Sequence, residues 1–131
     1  MNRTQEREQV FVIIFEKIFR DESIDDLIEF AKESRDFVDN DYINDVAKGV
    51  YNNLEEIDML ISDNSKGWSI NRISKVCLAA MRLAIYEILH REDIPVSVSI
   101  NEAVELIKKY ATTDDSAFAN GILGTIARNI E

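Results

Sequence analysis

The sequence predicts an all-α protein built as two packed three-helix bundles. Apolar residues recur three or four positions apart along most of the 131-residue chain, no segment requires a strand, and only four Gly and one Pro interrupt it. With 46% apolar and 31% charged residues, the composition is that of a folded domain. We expect a single domain with an N-terminal half (residues 1–66) and a C-terminal half (67–131), joined at the polar segment DNSKG.

Three helices are predicted in the N-terminal half. The first covers residues 4–20, and Ser23 is the expected N-cap of a second helix that ends near residue 34. The third has the cleanest apolar spacing and is predicted to run without interruption from residue 40 to 62. Gly49 lies inside it and indicates a close contact with another helix, because glycine weakens a helix interior unless packing compensates.

The C-terminal half begins with Trp68, which we expect to pack one half against the other. A long, largely buried central helix is predicted over residues 71–90. Pro95 then requires a connector, since proline cannot occupy a helix interior.

Two further helices complete this half. Ser99 and Glu102 have the spacing of a capping box, which predicts a helix from residue 100 to about 110. The polar segment 112–116 predicts the start of a last amphipathic helix, with Asp114 as a possible cap.

The residue inventory argues against catalysis. Cys77 lies in an apolar helical pattern and is expected in the core, and His90 is expected to interact with a helix C-terminus. No Cys/His spacing suits zinc, no glycine-rich loop suits phosphate, and adjacent acids diverge around a helix. We therefore predict a protein that is not an enzyme and that uses no cofactor and no metal.

Charge and hydropathy restrict the partners. The net charge of −10 divides into −9 for residues 1–66 and −1 for residues 67–131, which argues against avid non-specific binding of nucleic acid. The chain shows neither an uncharged apolar stretch of membrane-spanning length nor the apolar core of a signal peptide, so a cytoplasmic location without membrane association is expected.

A family resemblance is carried by three strings of the C-terminal half: RLAIYEIL from Arg82, DIPVSVSINEAVELIKKY from Asp93 and DDSAFANGIL from Asp114. It extends upstream through KGVYNNLEEIDMLI from Lys48 and more weakly to REQVFVIIFE from Arg7. In order and spacing these strings resemble the NusB family of bacterial transcription antitermination factors, over nearly the whole chain.

The resemblance implies an RNA- and protein-binding module that recognises boxA RNA in transcripts of ribosomal RNA operons. The implied partners are the small-subunit ribosomal protein acting as NusE and the transcribing RNA polymerase complex. No cofactor or metal is implied. The implied RNA-binding residues are Arg3, Arg7, Phe15, Asp114 and Phe118.

Four of these residues also have a structural interpretation. Arg3 and Arg7 are equally typical of solvated charges at a helix start, Phe15 of a core position, and Asp114 of a helix cap. Ala117 stands where the family usually has a basic residue.

For the protein partner, the resemblance implies Glu87, Asn101 and Glu102. An alternative function is a helical RNA- or protein-interaction module with reduced RNA binding, related to the N-terminal domain of ribosomal RNA cytosine methyltransferases. A homodimer is also possible, because the first helix has more apolar surface than a three-helix bundle needs.

Overall fold

The computed structural model describes residues 1–130, which contain seven α-helices and no strand, so the all-α prediction is confirmed. A single 3-10 turn (Ile70–Arg72) precedes the fifth α-helix. The α-helices are α1 (Arg3–Phe19), α2 (Ile24–Ser34), α3 (Asp41–Asn52), α4 (Leu54–Asn64), α5 (Lys75–His90), α6 (Val96–Tyr110) and α7 (Thr113–Ile130).

Helix α5 is the centre of the packing, as its nearly continuous apolar sequence predicts. It contacts α1, α3, α4, α6 and α7, and the residues from Cys77 to Glu87 are all buried. A helix that is apolar on every side is stable only when other helices surround it. Helix α4 packs mainly on α5 and α7, although it lies in the N-terminal half of the sequence.

None of the helices in the described residues is long and apolar enough to cross a membrane.

Polar side chains begin several of the helices. Asn2 and Gln5 form a reciprocal capping box on α1, and the Ser23 hydroxyl accepts the Asp26 amide at 3.1 Å, which confirms the predicted cap of α2. At α7 the Thr112 hydroxyl accepts the Asp115 amide at 3.0 Å. The cap is therefore Thr112, and Asp114 lies in the first turn.

The predicted uninterrupted third helix is wrong, because the chain forms α3 and α4 with a break at Asn53. The Asn53 side-chain amide donates to the Gly49 carbonyl at 2.8 Å, and the Asn53 backbone leaves the helical conformation with ψ at 22°. A side chain that bonds the preceding turn competes with the regular helix. Apolar spacing does not reveal this break, since it continues with the same period on both sides.

The predicted helix start at residue 100 is also wrong. Helix α6 begins at Val96, directly after Pro95, so Ser99 is inside the helix and does not cap it. The Ser99 hydroxyl donates instead to Glu87 on α5, and the Glu102 carboxylate accepts from Arg7 and Thr4 on α1. Tertiary partners have replaced the local capping box.

The central helix also starts later than residue 71, where it was predicted to start. Helix α5 begins at Lys75 with Ser74 as its cap, because the Ser74 hydroxyl accepts the Cys77 amide at 3.2 Å. Trp68 does not join the two halves: it is 52% exposed, and its ring contacts that of Phe118 on α7 of its own half.

Two helical glycines have opposite surroundings. A Cβ atom on Gly49 would clash with the ring of Tyr86, so the predicted close contact at Gly49 is confirmed. Tyr86 has little freedom to move, because it is buried and its hydroxyl donates to Asp45 at 2.8 Å. At Gly121 on α7, an added Cβ would meet nothing within 4 Å. Packing therefore explains Gly49 but not Gly121.

We predict that Gly49→Ala lowers the free energy of unfolding by about 1–3 kcal/mol, because the added methyl group overpacks the contact with Tyr86. Gly121→Ala is the matched control and is expected to raise stability by up to about 1 kcal/mol through helix propensity. Urea unfolding followed by circular dichroism measures both. Equal stability of the Gly49→Ala variant and the wild type would contradict the packing argument.

Candidate RNA- and protein-binding surfaces

A buried ion-pair network joins α1, α5 and α6. Arg7 Nε donates to Glu87 Oε2 at 2.8 Å, and Arg7 Nη1 donates to Glu102 Oε1 at 2.7 Å. Arg7 is 2% exposed and Glu87 0% exposed, whereas Glu102 lies at the edge of the network and is partly exposed. Burial lowers the pKa of Arg7, but the hydrogen bond and charge of Glu87 outweigh it, so the net shift is upward and the guanidinium stays charged.

Tyr42 and Ser99 complete the coordination of Glu87. The Tyr42 hydroxyl donates to Glu87 Oε2, and the Ser99 hydroxyl donates to Glu87 Oε1 at 2.7 Å. Burial, together with the adjacent Glu87 carboxylate, raises the pKa of Tyr42 above its usual range, so the phenol keeps its proton. Glu87 thus accepts from three helices besides its own, and no buried side-chain nitrogen or oxygen of residues 1–130 lacks a hydrogen-bond partner.

Arg3 lies at the solvent side of this network. Its guanidinium carbon lies 4.2 Å from the centre of the Tyr42 ring, and its Nε donates to Glu6 at 3.1 Å. The side chain is 43% exposed, so Arg3 is accessible to a ligand where Arg7 is not. The structure therefore separates the two predicted arginines of the N-terminal segment.

An aromatic row runs along one side of α1, from the buried Phe11 to the exposed Phe19. The ring of Phe15 is 6.3 Å from Phe11 and 5.1 Å from Phe19, and Phe11 is 5.3 Å from Tyr110 at the end of α6. Phe15 is half-buried, so it both packs on the core and reaches the surface. Glu8 reinforces the contact with α6 by accepting from Tyr110 and from Lys109.

A second aromatic surface lies on α7 beside the loop before α5. Phe118 is half-buried, and its ring meets Trp68 edge-to-face at a centroid distance of 6.2 Å. Asp114 is exposed one turn earlier on the same helix. Asp114 and Phe118 thus share one side of α7, and Trp68 joins them as an exposed residue that the sequence-based site did not include.

The predicted partner residues separate into interior and surface positions. Glu87 is inaccessible and holds Arg7, Tyr42 and Ser99, so in this structure it orients other residues. Asn101 is exposed on α6, and the neighbouring Glu102 is partly exposed while it holds Arg7. Sequence reasoning missed Tyr42 and Ser99 because no local pattern connects them to Glu87.

The remaining reactive groups are enclosed or dispersed. Within residues 1–130 no group of three or more His, Cys, Asp or Glu residues is placed to hold a metal ion. Cys77 is buried, as predicted, and its thiol donates to the Asp115 carbonyl at 3.3 Å. Burial raises the pKa of Cys77 to about 11.

The fold and these surfaces define a class: an all-helical domain that presents aromatic and polar side chains on the outside of a rigid core, suited to binding RNA or protein. A model of the NusB family matches residues 4–128, and the chain belongs to the NusB family.

Two similar relatives carry the name transcription antitermination protein NusB. The protein of Acetivibrio thermocellus is 48% identical over 130 residues, covering 98% of this chain and 90% of the relative. That of Clostridium acetobutylicum is 41% identical over 133 residues, covering 100% of this chain and 98% of the relative.

Solved structures show the same fold. A crystal form of T. maritima NusB aligns with a TM-score of 0.85 at 38% identity, covering 98% of this chain and 92% of that one. A chain from a crystal structure of the antitermination factors NusB and NusE with double-stranded RNA aligns with a TM-score of 0.86 at 25% identity. This second alignment covers 98% of the present chain and 99% of the other.

We predict that Arg7→Met lowers the free energy of unfolding by about 3–5 kcal/mol, because it leaves the buried Glu87 carboxylate without its cation. Arg35→Met is the matched control, since Arg35 pairs with Glu16 at the surface and its loss should cost less than about 1 kcal/mol. Urea unfolding at neutral pH measures both variants. Losses of equal size would show that burial adds nothing to the Arg7 pair.

The thiol of Cys77, the single cysteine, is expected to react with a disulfide reagent at pH 8 much more slowly in the native protein than in urea. Because folding raises its pKa from 9.0 to about 11, the thiol favours the folded state below pH 9. This contribution is lost as the pH rises through about 11. Fast stoichiometric labelling of the native protein at pH 8 would contradict the placement of Cys77.

Proposed function

We propose that this chain is a transcription antitermination factor that binds boxA RNA of ribosomal RNA operon transcripts together with the small-subunit ribosomal protein acting as NusE. The observation that carries the proposal is the likeness, over 98% of this chain, to a chain from a crystal structure of NusB and NusE with double-stranded RNA. The transcribing RNA polymerase complex is the proposed final partner. The role is that of a non-catalytic adaptor.

The RNA surface is proposed to consist of Arg3, Phe15, Asp114 and Phe118. All four reach the surface. The aromatic row that contains Phe15 ends at Tyr110, and Asp114 follows four residues later in the first turn of α7. Aromatic rings offer faces for stacking unpaired bases, and an exposed arginine attracts phosphate. Arg7 is proposed as a positioning residue, because its ion pairs with Glu87 and Glu102 hold α1 in place against α5 and α6.

The protein surface is proposed to include Asn101 and the accessible edge of Glu102 on α6. Glu87 supports it from beneath, since Ser99 on α6 donates to the Glu87 carboxylate. A ribosomal partner with excess basic charge would complement this chain, whose net charge is −10. The bound partner would thereby supply the positive charge for phosphate binding that this acidic chain largely lacks.

The alternative is an interaction module with reduced RNA binding. It is favoured by Ala117, which is exposed on α7 where the resemblance expects a basic residue, and by the burial of Arg7. Self-association also stays a prediction; Phe19, which is 61% exposed at the end of α1, offers apolar surface for it.

We predict weak binding of boxA RNA by the isolated chain, and tighter binding with a steeper salt dependence once the ribosomal partner is added. Mobility shifts with boxA RNA and with a scrambled RNA, each with and without the partner, measure this. Phe118→Ala should weaken boxA binding at least about fivefold by removing a stacking face. Phe30→Ala, a control at an exposed phenylalanine of α2, should not. Equal shifts of the two RNAs under all conditions would contradict the adaptor function and favour the alternative.

A further inference from the structure

We propose that Trp68 and the groove between it and α7 form a second stacking and phosphate-binding subsite, which binds the single-stranded RNA that continues past Phe118. The inference deepens the proposed function and depends on RNA reaching Phe118. The groove is defined by Lys66, Trp68, Phe118, Gly121 and Arg128, which lie along its length, and has a volume of about 430 Å³.

The loop before α5 holds the indole in an exposed position. Lys66 and Gly67 both adopt the left-handed backbone conformation, with φ of 47° and 89°. The Ser65 hydroxyl is buried and donates to the Trp68 carbonyl at 2.6 Å, and the Trp68 amide donates to the Ser65 carbonyl at 3.2 Å. A turn stabilised in this way fixes the start of the tryptophan side chain.

The indole itself is prepared for stacking. The edge-to-face contact with Phe118 orients the ring, while half of its surface stays open to solvent. Tryptophan is large and apolar, so exposing it is costly unless a ligand covers it. The neighbouring Phe118 face and the Trp68 face together offer stacking positions for successive bases.

Charge favours RNA as the occupant. Residues 64–81 contain Lys66, Arg72 and Lys75 but no Asp or Glu, although the chain as a whole carries an excess of acid. None of these three cations pairs with a carboxylate of residues 1–130. Of the described residues that line the groove, two are basic and none is acidic, whereas Asp114 and Asp115 line a separate groove on the other side of Phe118. Phosphates should therefore follow the side of Lys66.

Gly121 gives an independent argument. Glycine inside a helix lowers stability, and here no neighbouring atom requires it, because an added Cβ would enter open space. That open space is the groove, which Gly121 lines. The absence of a side chain keeps the groove deep enough for a ligand to approach the backbone of α7.

The experiment uses Trp68 as its own reporter, because it is the single tryptophan of the chain. Binding of boxA RNA to the wild type, with the ribosomal partner present, should quench the tryptophan fluorescence as a base stacks on the indole. Trp68→Ala should weaken boxA binding at least about fivefold, and Trp68→Phe should recover part of the loss. A parallel titration of Trp68→Phe subtracts fluorescence from the partner.

Two further variants test the groove apart from the indole. Gly121→Leu should fill the groove and weaken RNA binding without lowering stability, since its side chain enters open space on a helix. Lys66→Gln should reduce the slope of log affinity against log salt by about one unit, while Lys48→Gln, a control at an exposed lysine of α3, should leave it unchanged.

The outcomes separate this inference from the proposed function. If boxA RNA binds the wild type but Trp68→Ala and Gly121→Leu bind equally well, the subsite is overturned and the adaptor function stands. If the ribosomal partner alone quenches Trp68 and RNA adds nothing, the groove is a protein site and the inference is overturned. If no RNA binds at all, both proposals fail.

Discussion

The rest of the structure depends on the buried carboxylate of Glu87. A carboxylate without solvent is strongly destabilising unless cations and hydrogen-bond donors surround it. Arg7, Tyr42 and Ser99 meet that requirement from α1, α3 and α6. Because each donor has only a narrow range of distance and angle, the network determines how far each helix can slide along α5. Apolar packing alone tolerates more variation than this.

The network also connects the interior to the surfaces proposed for binding. Arg7 donates both to the buried Glu87 and to the partly exposed Glu102, and Thr4 donates to the same Glu102 oxygen at 2.5 Å. Arg3, one residue before Thr4, lies over the ring of Tyr42. The N-terminal segment and the exposed edge of α6 are thus held together by a few polar contacts. A ligand that contacts both encounters a preformed arrangement and loses less conformational entropy on binding.

On the C-terminal side, the binding surface is rigid for a different reason. Trp68 follows a turn with two left-handed residues, and Phe118 is carried by the longest helix of the described chain. Neither residue takes part in the buried ion-pair network. The molecule therefore presents two surfaces that are organised by separate interactions, and a substitution can weaken one while leaving the other intact.

Much of the site could not be predicted from local patterns. The family resemblance located Arg7, Glu87 and Glu102 in the sequence, but their tertiary contacts show that they bind one another. Trp68 was expected as an internal anchor because large aromatic residues are usually buried, yet the turn at Lys66 and Gly67 leaves it exposed. Likewise, a helical glycine usually indicates close packing, which is true of Gly49 and untrue of Gly121.

The sequence by itself determined the all-α class, the buried centre at α5, the cap at Ser23 and the membership suggested by the strings after Arg82, because these follow from spacing along the chain. Only the tertiary structure decided the contacts of Ser99 and Glu102, the exposure of Trp68 and the burial of Arg7. Ser99 and Glu102 show the physical reason. Their spacing suits a local cap, but partners on α1 and α5, distant in sequence, bind them in the folded chain, and local pattern contains no information about those partners.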